Sequence, residues 1–384
     1  MSSSKRAKTT DNNTPKRICV RLSAQSIYLM IQNNMNPLDL SNIWLRATHI
    51  VFDGLVFTAQ GEIEIGCAHK NSGSETVLYN PDTYLPWIRA LKRRYKHLKI
   101  IWALPPSASP KIPLDMVIAT CGWQVFFANI KKLLDLNLPA DGIEFNFTLS
   151  PIINEEFMNE LMNLSSTTKC WVCLPNSIPI LKTFQRQQFL ASLYETCDAL
   201  VVNSYGFMKH RCKTTNHGTL KVMQAINESS LHDLRLVEEY LLTQIPDTAK
   251  LLMGLDTLGV EYKTKTESLD VEKFRMIPTT KINNLLINGY AEDPKAKRVY
   301  KYKTSYDSRT QSSLMYLDRY NKVISYDNFL VKNAKLNHIL SENWLGVIIG
   351  DIRFDQEHTH RQSLLQLSYN KLKPNGLEQA KEDV

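Results

Sequence analysis

The chain has 384 residues, of which 43% are hydrophobic and 22% are charged, and its 46 basic and 38 acidic residues give a formal net charge of +8. These proportions are typical of a globular protein with a sizeable core, and they argue against a disordered or fibrous chain. The positive excess is mild, so it does not indicate a nucleic-acid partner.

Residues 1–17 are predicted to form a disordered basic tail, because they are polar and contain few hydrophobic side chains. Two basic clusters lie in this tail, one containing Lys5 and Arg6 and the other Lys16 and Arg17. Their spacing is typical of a bipartite nuclear-import signal, although a tail that only increases solubility has the same composition. These four residues are therefore candidates for nuclear import.

The compartment can be predicted from the start of the chain and from its cysteines. The tail contains no apolar segment typical of a secretory signal, and the apolar run at 18–31 is too short to span a membrane. The seven cysteines are an odd number at irregular spacing, which is not the pattern of a disulfide framework. A cytoplasmic or nuclear protein without a membrane partner is expected, and a secreted protein is the alternative.

Beyond the tail, predicted strands alternate with predicted helices. The eight strands are expected at residues 18–23, 48–57, 98–104, 140–147, 169–174, 199–204, 250–255 and 345–352. Helices are expected at residues 82–96, 117–136, 155–162, 184–195, 233–243 and 328–341, and after the eighth strand. Repeated β-then-α units indicate a parallel sheet, and eight of them predict the fold class of the closed (β/α)8 TIM barrel.

Residues 263–312 interrupt this alternation. They are polar and show no clean helical period, yet a structureless run of that length is uncommon inside a compact domain. The segment is therefore expected to have regular structure of its own, as a subdomain set apart from the repeated β-then-α units. The barrel itself is assigned to residues 18–262 and 313–384.

The fourth predicted strand carries an unusual polar face. Within residues 138–148, one set of side chains falls at period two and faces one way: Gly142, Glu144, Asn146 and Thr148. The alternating residues Ile143, Phe145 and Phe147 face the other way. Because a strand buried on both faces should be almost wholly apolar, this pattern indicates either the polar interior of a barrel mouth or an unusual defect in the core.

This stretch resembles the fourth strand of the family 18 glycoside hydrolases, which are chitinases and chitinase-like lectins with the pattern Asp-Gly-x-Asp-x-Asp-x-Glu. Asp141, Glu144, Asn146 and Thr148 occupy the four side-chain positions of that pattern. The resemblance implies that the last position should hold the general acid, and a threonine hydroxyl cannot act as one at neutral pH. It therefore implies a (β/α)8 barrel without hydrolytic activity, with a shortened α+β insertion after strand seven.

Other positions at the expected barrel mouth also depart from the family. The aromatic residue on strand two corresponds to Gly54, the aspartate that holds the acetamido group to Gly206, and the floor tryptophan to Gly350. Tyr205 retains the family's tyrosine, and Asp256 is expected to point inward.

The candidate ligand-binding residues are therefore Glu144, Asn146, Tyr205 and Asp256. They could bind a cation or a ligand unlike chitin, or they could be relics that bond to one another. Cys170 and Cys173 form a C-x-x-C pattern on a strand, where their sulfurs face opposite ways. No metal site and no cofactor are predicted.

These observations predict a catalytically inactive chitinase-like protein that acts as a binding or regulatory module inside the cell, with a protein partner. The first alternative is a lectin that binds chitin or chito-oligosaccharides. The second is a glycosidase in which Glu144 or Asp256 serves as a relocated acid.

Overall fold

The computed structural model describes residues 15–66, 68–70, 76–78, 80–105, 107–109, 112–136, 138–146, 153–185, 188–204, 231–265, 268–288, 299–317, 322–355 and 363–373. The predictions made for Lys5, Arg6, Thr148, Tyr205 and Gly206 lie outside these residues.

Eight parallel strands close into a barrel, as predicted. In chain order they are β1 (Arg17–Ser23), β2 (His49–Asp53), β3 (Lys99–Leu104), β4 (Gly142–Asn146), β5 (Lys169–Leu174), β6 (Ala199–Asn203), β7 (Leu251–Leu255) and β8 (Gly346–Asp351). Each strand pairs in parallel with the strand before it and the strand after it in the chain, and β8 closes the barrel by pairing with β1. The (β/α)8 fold class is thereby confirmed.

Most of the helices surround the barrel. They span Ala24–Gln32, Ser41–Trp44, Pro81–Arg94, Leu114–Leu134, Glu155–Ser165, Ile178–Gln185, Phe189–Thr196, Leu231–Leu241, Thr279–Asn288, Phe329–Ser341 and Leu364–Leu372. Several begin at a residue whose side chain accepts a hydrogen bond from a backbone N–H of the first turn, as Ser23, Asn154 and Asn328 do. Among the described residues, no helix is both long enough and apolar enough to cross a membrane.

The alternation of side chains along the strands produces two hydrophobic clusters. The cluster inside the barrel contains Cys19, Val51, Ile101, Ala103, Trp171, Cys173, Ala199, Val201, Leu252, Leu345 and Ile348. The larger cluster lies between the strands and the helices, and it includes Ile143, Phe145 and Cys170. Ile143 and Phe145 therefore face the helices, so Glu144 between them faces the barrel interior.

The insertion is an antiparallel sheet of five strands. Its strand order is Ser268–Pro278, Leu258–Lys265, Lys322–Tyr326, Ser312–Leu317 and Lys303–Asp307. The helix Thr279–Asn288 packs on this sheet through Ile282, which belongs to a cluster with Ile277, Met315 and Ile324. The insertion was predicted at residues 263–312, but the sheet begins before residue 263 and ends after residue 312. Its central strands therefore include residues that the prediction assigned to the barrel.

Two predicted elements are each divided in the structure. The strand predicted at residues 48–57 becomes β2 and a separate strand, Leu55–Phe57, which pairs antiparallel with Ile63–Ile65. The chain turns at Gly54, where a Cβ atom would lie 2.1 Å from the ring of Phe52. The helix predicted at residues 184–195 is also two helices, Ile178–Gln185 and Phe189–Thr196.

The first strand begins at the last residue of the predicted basic tail. Arg17 begins β1 and pairs with Gly346 of β8. The ammonium group of Lys16 donates to Asn343 Oδ1 and to the carbonyl oxygen of Trp344, both at 2.7 Å. The second basic cluster therefore belongs to the barrel, because strand pairing and these two hydrogen bonds hold it there.

Candidate functional site

The candidate site lies at the carboxyl ends of the barrel strands, where the inward-facing side chains are polar or charged. Strand β1 contributes Arg21, β2 ends at Asp53, β4 contributes Glu144 and Asn146, and β8 ends at Asp351. Active sites of (β/α)8 barrels occur at this end, which makes it the first place to examine for function.

A buried ion pair occupies the centre of this site. The guanidinium of Arg21 donates to Glu144 Oε1 at 2.7 Å and to Asp53 Oδ1 at 2.8 Å. The side chain of Glu144 is fully buried, whereas that of Asp53 is 39% exposed. Arg21 therefore connects a carboxylate inside the barrel to one at its rim.

The charge state of Glu144 depends on two opposing effects. Burial raises the pKa of Glu144 because the charged carboxylate loses its hydration, and the adjacent guanidinium of Arg21 lowers it. Glu144 Oε2 is also buried and has no hydrogen-bond partner among the described residues. Arg21 therefore supplies the positive charge that offsets the cost of burying an ionised carboxylate inside the barrel.

A second ion pair lies at the end of β8. Asp351 Oδ2 accepts hydrogen bonds from Ser26 Oγ at 2.7 Å and from Arg353 Nη2 at 2.9 Å. Ser26 belongs to the helix that follows β1, so the contact joins the first and last strands at the barrel mouth. The described part of the mouth is therefore lined by charged groups that are already paired with one another.

Asp256 lies just after β7, where the chain leaves the barrel for the insertion sheet. Its Oδ1 accepts a hydrogen bond from the backbone N–H of Leu258 at 3.0 Å. A Cβ atom at Gly350 would approach this oxygen to 3.2 Å, so glycine at position 350 leaves room for Asp256. Burial is the largest cause that raises the pKa of Asp256 to about 7, and the nearby carboxylate of Asp327 acts in the same direction, against the opposing backbone hydrogen bonds.

Replacement of Asp256 by Asn should change how stability depends on pH. The pKa of Asp256 is about 7 in the folded chain and 3.8 in its ordinary state, so the folded chain binds more protons between these values. The stability of the wild type relative to Asp256→Asn should therefore fall as the pH rises from about 4 to about 7, by about 1.4 kcal/mol for each unit of pKa shift. Denaturant titrations across this range measure the difference, and parallel pH profiles for the two proteins would contradict the assignment.

Asp141, the first residue of the family pattern, lies at the other end of the barrel. Its carboxylate forms ion pairs with Lys92 and, at 3.5 Å, with Lys99. It also accepts the backbone N–H of Ile100 at 2.9 Å. These contacts tie β4 to β3 and to the preceding helix, so Asp141 acts in the fold and does not reach the mouth.

The structure brings Glu144 and Asn146 to the same strand end, with Asn146 half-buried at the last position of β4. Sequence reasoning missed the residues that pair with Glu144 or stand beside it, namely Arg21, Asp53 and Asp351. The available signal was the period-two alternation, since Arg21 follows Cys19 and Asp53 follows Val51 on the inward faces of their strands.

Among the described residues, no group of three or more His, Cys, Asp and Glu side chains is arranged to hold a metal ion. Cys170 packs against the helices and Cys173 lies inside the barrel, so the two sulfurs of the C-x-x-C pattern face opposite ways.

No protein-family model and no curated protein sequence matches the chain. Its structure is nevertheless similar to that of the Group IV chitinase of Ostrinia furnacalis, with a TM-score of 0.65, 14% identity, and coverage of 93% of this chain and 99% of the chitinase chain. A chitinase from Chromobacterium violaceum matches with a TM-score of 0.62, 14% identity and coverage of 93% and 99%. The structure of YKL-39, determined in the presence of chitooligosaccharides, matches with a TM-score of 0.61, 14% identity and coverage of 95% and 98%. The predicted resemblance to family 18 glycoside hydrolases is confirmed at the level of the fold.

Proposed function

We propose that this chain, which has the fold of the family 18 chitinases, is a non-hydrolytic binding protein that acts through its surface inside the cell. The observation that carries the proposal is the state of Glu144, whose fully buried carboxylate is paired with Arg21. A general acid must present a proton to the substrate at hydrogen-bond distance. A fully buried carboxyl group that is held by a guanidinium cannot reach a substrate at that distance.

The sequence supports the same proposal at a second position. Thr148 stands where the resemblance implies the catalytic glutamic acid, and its hydroxyl is a far weaker acid than a carboxyl group. The resemblance implies that two carboxyl groups would have to be restored before the ancestral reaction could proceed, one in place of Asn146 and one in place of Thr148.

An enzymatic alternative rests on Asp256. Its pKa of about 7 is the value that a general acid needs at neutral pH. One oxygen of this carboxyl group is already engaged by the N–H of Leu258, which leaves the other for a substrate. The alternative is therefore a glycosidase with a relocated acid, and it makes a different kinetic prediction.

Incubation with a fluorogenic chito-oligosaccharide should give no turnover above the uncatalysed rate, and Asp256→Asn and Glu144→Gln should behave like the wild type. A chitinase assayed in parallel verifies the substrate. Turnover that is lost in Asp256→Asn but retained in Glu144→Gln would overturn the proposal in favour of the relocated acid. The converse pattern would assign the acid to Glu144.

A lectin is the second candidate function. The neighbouring structures include the Ostrinia furnacalis chitinase in complex with allosamidin and YKL-39 in the presence of chitooligosaccharides, so a fold of this shape accommodates amino-sugar ligands. Calorimetric titration with an N-acetylglucosamine tetramer separates the candidates. If the wild type releases heat on binding and Tyr205→Ala does not, the protein is a lectin. If the wild type does not bind the tetramer, the proposal of a protein partner is retained.

A further inference from the structure

The amino end of the barrel interior contains a second polar site, opposite the mouth. Arg17 of β1, His49 of β2 and Trp171 of β5 meet there. The guanidinium carbon of Arg17 lies 5.8 Å from the centre of the Trp171 ring, and the ring of His49 lies 5.3 Å from it. Trp171 is fully buried and belongs to the cluster inside the barrel. The three side chains therefore enclose one region of the interior.

Two hydrogen-bond donors in this region are unsatisfied. Arg17 Nη1 and Trp171 Nε1 are both buried, and neither has an acceptor among the described residues. Indole and guanidinium nitrogens can donate hydrogen bonds but cannot accept them, so the missing partner must be an acceptor. Leaving a buried donor without one is costly, and such groups are usually satisfied by water or by a bound ion.

The charge around these donors favours an anion over water. Arg17 forms no ion pair within the described part of the chain, whereas the neighbouring cations Lys99 and Lys169 face Asp141 and Asp198 at 3.5 and 3.6 Å. His49 is neutral, since burial and then Arg17 lower its pKa to about 3, so it adds no second positive charge, and its Nδ1 lies 2.8 Å from Thr48 Oγ1. A water molecule would satisfy the hydrogen bonds, whereas an anion would also balance the charge of the half-buried guanidinium.

We propose that a small monovalent anion of the chloride type binds inside the amino end of the barrel, accepting hydrogen bonds from Arg17 Nη1 and Trp171 Nε1. An anion that accepts two hydrogen bonds of about 3 Å each can bridge two donor nitrogens that lie up to about 6 Å apart. The guanidinium of Arg17 lies beside the ring of Trp171, so their nitrogens are close enough for such a bridge. Because β1 and β5 lie on opposite sides of an eight-stranded barrel, the anion connects them across the interior. Trp171 is the register partner of Glu144 on β4, but the anion uses no group on which the proposed function rests, so the two proposals are tested independently.

The direct test uses bromide as the probe. Crystals of the full chain grown in sodium bromide should show an anomalous scattering peak within hydrogen-bond distance of both nitrogens. A map with ordered water there and no anomalous signal would overturn the proposal. This measurement needs no variant, so it decides the question even if substitutions inside the barrel prevent folding.

The solution test compares thermal stability in sodium chloride with that in sodium gluconate at equal ionic strength. The wild type should be more stable in chloride, because an anion that binds only the folded state stabilises it. Trp171→Phe keeps the ring but deletes the donor, and it should weaken the apparent chloride affinity about tenfold. Arg17→Gln removes the charge and should abolish the chloride effect.

Trp102→Phe is the matched control. Trp102 is also fully buried on a barrel strand and its Nε1 also lacks a partner among the described residues, but it faces the helices. This variant should retain the full chloride response. A response that survives unchanged in Trp171→Phe, or that is lost equally in Trp102→Phe, would contradict the anion site.

Discussion

Replacement of Arg21 by Met is expected to lower the free energy of unfolding by about 3–5 kcal/mol at neutral pH. The substitution leaves Glu144 fully buried without its counter-charge, and Asp53 loses the same partner. Methionine fills a comparable volume, so the loss of charge compensation should exceed any loss of packing. Equilibrium unfolding in denaturant measures the effect.

The pH dependence of this loss identifies its cause. Without Arg21, the pKa of Glu144 should rise further above its ordinary value, because burial then acts unopposed. When the pKa of a carboxyl group is raised in the folded state, the folded protein loses stability as the pH increases through that pKa. The deficit of Arg21→Met should therefore be smaller in mildly acidic buffer than in alkaline buffer.

Glu144→Gln is the companion variant. It keeps the oxygen that accepts from Arg21, while Arg21 remains paired with Asp53, so it should cost less than Arg21→Met. Combined with Arg21→Met, it should recover part of the loss, because the buried charge is gone, and a double-mutant cycle gives the coupling energy. A deficit below about 1 kcal/mol for Arg21→Met, with no coupling to Glu144, would show that the pair contributes no more than a surface ion pair.

The barrel was predictable because its signal is local. Each strand is a short apolar run between turn residues, and the polar face of the fourth strand predicted that Glu144 would face the interior. The same counting rule applied to β1 would have placed Arg21 beside it, since Cys19 and Arg21 share a face.

The insertion sheet was harder to predict, and the reason is the distance between its partners in sequence. Leu258–Lys265 pairs with Lys322–Tyr326, so about sixty residues separate the two strands. Neither strand contains a turn signal that indicates its partner. The same limit applies to the mouth, where Arg21 of β1 pairs with both Glu144 of β4 and Asp53 of β2, and these contacts are fixed only when the barrel closes.

The barrel closes between β8 and β1, and Gly346→Ala should prevent that closure. A Cβ atom at Gly346 would lie 2.0 Å from the carbonyl oxygen of Arg17 and 2.7 Å from its nitrogen. These are backbone atoms of the paired strand, so no side-chain rotation can relieve the overlap. We expect a loss of at least about 4 kcal/mol, beyond the usual range for one substitution, or failure to fold. Circular dichroism and denaturant unfolding measure it.

Gly350→Ala is the control on the same strand. Its Cβ atom would meet Asp256 Oδ1 at 3.2 Å and the nitrogen of Thr257 at 3.3 Å, which a shift of a few tenths of an ångström can relieve. This variant should fold and lose no more than about 1–3 kcal/mol. Equal losses at the two positions would show that overlap with the backbone of Arg17 is not the cause of the loss at Gly346. A well-folded Gly346→Ala protein would instead mean that β1 and β8 are further apart than the pairing of Arg17 with Gly346 requires.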